Sequence, residues 1–72
     1  MFEIGDLVKV WTEDLDFRLR RKYKDNYATV VKLIFAEGDK EIPSFVEVFF
    51  PATNTTERFI YSRIRKVKGE NG

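Results

Sequence analysis

Apolar and polar residues alternate along this chain in short runs of period two, the spacing that lines one face of a β-strand. Val8 and Val10, with Ile4 ahead of them, are interspersed with Asp6 and Lys9, which predicts a first strand with one buried face and Gly5-Asp6 as its tight entry. Tyr27 to Phe35 is a longer run of β-branched and aromatic residues and predicts a second strand. Turn formers and charges from Ala36 to Glu41 interrupt it, and Ile42-Pro43 leads onward. In Phe45 to Phe50 the alternation puts Val46, Val48 and Phe50 on the core face and Phe45, Glu47 and Phe49 on the other. Pro51 stops that strand, and Ala52-Thr53-Asn54-Thr55 makes a hairpin connection. Glu57 to Tyr61 returns as a fourth strand, Tyr61 to Ile64 reads as a short 3₁₀ corner, and Arg65 to Lys68 as a brief closing strand. Residues 1–68 form one all-β domain of five strands on this reading, and residues 69–72 a flexible tail.

One segment breaks the rhythm. Between Thr12 and Asn26, Leu15, Leu19 and Tyr23 recur every four residues, a helical spacing, with Asp14 and Asp16 at the front and cations at the back, as the helix dipole favours. The expectation is a long first loop containing a helical turn or two, with an irregular extended loop as the alternative.

Composition then limits the chemistry. With 72 residues, no Cys and no His, the chain has neither a disulfide framework nor thiolate or imidazole zinc ligands. Ser-His and Cys-His nucleophile pairs are excluded with them. A binding protein without catalytic residues, metal or cofactor is expected. The core must come from the 43% hydrophobic residues, of which the aromatic side chains each remove a large area from water. No apolar run is long enough to span a bilayer and the N-terminus lacks the order of a secretory signal, so a soluble cytoplasmic protein without membrane contact is expected. Asn54-Thr55-Thr56 matches a glycosylation acceptor and reads here as turn chemistry.

Net charge is +1, but its distribution is uneven. Residues 1–16 and 33–50 are acidic in balance. Residues 17–32 hold Arg18, Arg20, Arg21, Lys22, Lys24 and Lys32 against Asp25 alone, and residues 51–72 hold Arg58, Arg63, Arg65, Lys66 and Lys68 against Glu57 and Glu70.

The strand layout resembles the Src-homology-3-like small barrels, the broad group that includes KOW, Tudor and many short phage and bacterial modules. The carrying residues are Gly5 to Val10, Ala28 to Val31, Val46 to Phe50, and Arg58 to Val67. The resemblance implies a five-stranded barrel in which the long first loop lies beside the 3₁₀ corner and borders a ligand groove. Arg18 to Lys24 and Arg63 to Lys66 then form one positive rim, apart from the acidic loop Glu37 to Glu41. Such a rim beside exposed rings suits phosphate contacts with base stacking, or an acidic protein segment. The candidate contacts are Arg18, Arg20, Arg21, Lys22, Lys24, Arg58, Arg63, Arg65 and Lys66. Phe2, Phe35 and Phe50 are read as core. Phe45, Phe49 and Phe59 fall on the opposite strand faces as a second apolar patch, and Trp11 and Tyr61 are exposed interface rings; Trp11, Phe49, Phe59 and Tyr61 make up the candidate aromatic interface. A Tudor-like aromatic cage would require rings such as Trp11, Tyr27, Phe49, Phe59 and Tyr61 to converge. Two functions follow as expectations: a module contacting nucleic acid or a nucleoprotein machine, and alternatively a protein-interaction or assembly module, such as a phage accessory protein, using its aromatic faces.

Overall fold

A computed structural model describes residues 2–38 and 41–67. Gly5 holds φ at +98°, a left-handed conformation that side chains disfavour. It closes a turn in which the Glu3 carbonyl accepts from the Asp6 N–H and the Asp6 carboxylate accepts from the Glu3 N–H. The chain then enters β1 (Leu7–Val10). The turn also explains one departure from expectation: Ile4 rides on it and is exposed, because the strand's alternation begins only after Gly5.

After β1 comes α1 (Phe17–Tyr23), so the helical alternative for the first loop is the correct one. Asp16 caps it, its carboxylate accepting from the Leu19 N–H at 3.0 Å and satisfying a donor that has no partner within the helix. The remaining strands are β2 (Tyr27–Ile34), β3 (Phe45–Phe50), β4 (Thr55–Ile60) and β5 (Ile64–Lys66), with a 3₁₀ turn at Tyr61–Arg63. They form one antiparallel sheet in the order β4-β3-β2-β1-β5. The fourth strand starts two residues earlier than expected, since Pro51 to Asn54 make the whole turn and Asn54 takes the left-handed φ of +57°. The fifth begins at Ile64, whose side chain pairs inward opposite Val10. The expected tail at 69–72, the last residue of the expected closing strand, and part of the acidic loop lie outside the described residues.

The core is the inward face of the sheet. Val8 and Val10, Ala28 and Val30, and Val46, Val48 and Phe50 are all buried, joined by Phe2, Tyr23 and Ile64. In β2 the alternation does not run straight through. Register shifts between Val30 and Lys32, a bulge that absorbs Val31, so that Leu33 faces inward opposite Val46 while Lys32 faces outward opposite Glu47.

Phe59 lies opposite Val46 and therefore points inward, a correction to its expected outer position. It meets Tyr23 and Phe50 with ring centroids 5.6 and 6.3 Å away, edge on in both cases. These rings fasten α1 over β3 and β4. Phe35 also differs from expectation: it follows the last paired residue of β2 and is exposed. Among the described residues no helix is long and apolar enough to cross a membrane.

Candidate binding groove at the helix end of the sheet

Helix geometry divides the first basic block. At 3.6 residues per turn, Tyr23 faces inward with Leu19 beside it but exposed, Arg20 and Lys24 lie on one flank, Arg18 and Lys22 on the other, and Phe17 and Arg21 on the outer surface. Contacts across the molecule follow these stripes. Lys22 pairs with Glu57 of β4 at 3.7 Å, and Arg21 stacks over Phe17 at 5.3 Å. Arg20 and Lys24 instead line a recess on the opposite flank.

That recess has two contiguous parts. The larger, about 360 Å³, is lined by Lys9, Val10, Trp11, Thr12, Glu13, Lys24 and Arg65. The smaller, about 270 Å³, shares Thr12, Glu13 and Lys24 and adds Arg20. Strand register explains the larger part: Lys9 lies opposite both Arg65 and Tyr27 on the outer face, so β5, β1 and β2 contribute one row of Arg65, Lys9 and Tyr27. Trp11 continues beyond it. The Arg65 guanidinium stacks on the Trp11 ring at 4.6 Å, and the Lys9 ammonium lies over Tyr27 at 5.4 Å. The two basic blocks thus meet through Lys24 and Arg65.

A clamp from Arg63 holds the first loop beside this recess. Arg63 donates to the Trp11 carbonyl at 3.0 Å and to both carboxylate oxygens of Asp14, while the Trp11 N–H donates to the Arg63 carbonyl at 2.7 Å. The hydrogen bonds from Arg63 hold the Asp14 carboxyl below the usual carboxylate range, and the same bonds raise Arg63. Across the helix, Tyr23 donates to Glu57 at 2.6 Å. Burial first, and then that hydrogen bond, push the Tyr23 hydroxyl above its ordinary value. The neighbouring Tyr23 hydroxyl and then Glu57 raise Lys22.

The expected cationic residues therefore separate into two sets. Lys22, Arg58, Arg63 and Lys66 are ion-paired, with Glu57, Glu47, Asp14 and Asp6 respectively. Arg58 also stacks over Phe45. Arg18, Arg20, Arg21, Lys24 and Arg65 have no ion pair among the described residues, and three of these five line the recess. Lys9 and Glu13 belong to the recess and were not among the expected contacts. The alternation signalled Lys9 as outward, but only the pairing of β1 between β2 and β5 brings it beside Arg65.

The candidate rings do not converge. Trp11 lines the recess. Phe49 is half-buried on the outer face between Thr29 and Thr56, and Phe59 packs against the core. Tyr61 is half-buried rather than exposed, edge to face with Phe2 at 5.4 Å, because the 3₁₀ turn folds it back over the sheet. These positions leave a cage of the Tudor kind without its walls. Among the described residues no group of three or more His, Cys, Asp or Glu side chains is placed to hold a metal ion. Comparison with family models, curated proteins and solved structures finds no match for this chain.

Proposed function

We propose that this chain is a non-catalytic module of the Src-homology-3-like kind, a small barrel that binds nucleic acid through the recess between α1 and the β1–β5 edge. The strand order, the bulge in β2 and the 3₁₀ turn between β4 and β5 support the barrel. The observation that carries the function is the gathering of Lys9, Arg20, Lys24 and Arg65 around the exposed Trp11, none of them ion-paired among the described residues, while Lys22, Arg58, Arg63 and Lys66 elsewhere are spent on ion pairs. Unpaired cations beside an aromatic platform match what a nucleic-acid strand offers, which is phosphates spaced along flat bases. An amide chemical-shift titration with a duplex and a single-stranded oligonucleotide tests this. Salt-sensitive shifts at residues 9–13, 20–24 and 65 support it. Shifts absent at low salt with both ligands overturn it.

A second reading, a protein-interaction module, has its own observation. Ile34, Phe45 and Ile60 lie in register across β2, β3 and β4 on the outer face, and Phe45 and Ile60 are exposed. An apolar row of this kind is a common contact surface for proteins. Binding of a partner that is lost in Ile60→Ser yet insensitive to salt would favour this reading over the first.

A further inference from the structure

We propose that the recess takes single-stranded nucleic acid presenting a guanine, whose base stacks on the Trp11–Arg65 platform while its Watson–Crick edge donates to the Glu13 carboxylate. This rests on the nucleic-acid reading above and names the ligand class within it. Glu13 is the anomaly that leads here. Among the described residues it is the sole carboxylate lining the recess, in both parts of it, and is exposed. Its neighbour Asp14 is engaged by Arg63, and Asp6, Glu47 and Glu57 are engaged by cations of their own. The Glu13 side chain has no ion partner among the described residues, although its backbone carbonyl accepts from Arg20 at 3.1 Å.

A free carboxylate repels phosphate, so among the cations it weakens backbone binding. Toward a base it acts differently, as an acceptor with two oxygens and no donor. Guanine alone offers two adjacent donors on its Watson–Crick edge, the N1–H and the 2-amino group. Thymine and uracil flank their single N–H with two carbonyls, and cytosine and adenine set a ring-nitrogen acceptor beside the amine. Bases in a duplex keep that edge occupied and stay inside the stack, whereas a single strand can splay its bases onto aromatic and guanidinium planes. Lys9, Lys24 and Arg20 then take the flanking phosphates.

Trp11 is the single tryptophan of the chain, so its fluorescence reports directly on the recess. The test titrates the full chain at low salt with pentathymidylate and with the same oligomer carrying one central guanine, for the natural protein, Glu13→Gln and Glu13→Ala. The guanine oligomer is expected to bind about tenfold or more tightly, the discrimination typical of a good bidentate base contact. In both variants that preference falls to less than about threefold, while pentathymidylate binds as well as before or better, since a repelling charge is gone. Equal quenching by both oligomers with the natural protein overturns the guanine inference and leaves the nucleic-acid reading standing. A preference that survives both substitutions overturns the role of Glu13. If neither oligomer quenches Trp11 or shifts any amide, both readings are overturned together.

Discussion

Tyr23 and Asp14 respond to pH in opposite senses, one through stability and one through local order. The Tyr23 hydroxyl is raised in the folded state by burial and by Glu57, so its contribution is complete below the ordinary tyrosine range and is lost as pH rises through the raised folded value. Tyr23→Phe is expected to cost about 1.5–3 kcal/mol near neutrality, the usual worth of a hydrogen bond to a charged acceptor, and to flatten the alkaline limb of stability. Denaturant unfolding between neutral and strongly alkaline pH checks both. Asp14 has the opposite sign: its folded value is lowered by Arg63, so the clamp is intact above the ordinary carboxylate range and is lost as pH falls through the lowered value. Asp14→Asn should move the amide signals of residues 11–16 at neutral pH toward the positions that the natural protein reaches only in acid. The pair is exposed on the Asp14 side, so the consequence is local order in the loop.

At the scale of elements, inward phase decides which substitutions matter. Phe59→Ala removes a ring from the Tyr23–Phe50 cluster and is expected to cost about 2–4 kcal/mol, whereas Phe49→Ala on the outer face costs about 1 kcal/mol or less. Urea unfolding of the two variants side by side distinguishes them. Asp16→Ala, which leaves the Leu19 N–H without its cap, is expected to cost about 1 kcal/mol by the same measurement. The five strands and the inward set Val46, Val48 and Phe50 were legible because each is a local alternation. The position of Phe59 was not, because a strand read alone has two possible phases and only its pairing with Val46 selects one. Leu33 and Lys32 were hidden for a related reason: nothing in a run of β-branched residues announces a bulge. The helix was legible as a possibility from Leu15, Leu19 and Tyr23, and its short length kept the loop alternative open.

For the molecule as a whole, charge pairing matters more than charge count. The two basic blocks could be read from the sequence, but four of their cations are tied to carboxylates distant along the chain, a fact only the fold reveals. Replacing Arg20 and Lys24 together by Ala should reduce the slope of log affinity against log salt by about 1.4, two phosphate contacts at the single-strand value, whereas Arg58→Ala leaves it unchanged. Affinities measured at several salt concentrations decide this. The bulge at Val31 has a separate consequence, for how the chain tolerates changes in length. Without Val31, Ala28, Val30 and Leu33 would still face inward and Thr29 and Lys32 outward, so deleting that residue keeps every neighbour on its own side of the sheet. Deleting Glu47 from the regular strand β3 instead turns Val48 and Phe50 out to water. Like a spacer between two words, Val31 can be dropped without changing the reading of either, and a one-residue length difference between natural variants of this chain is best accommodated there.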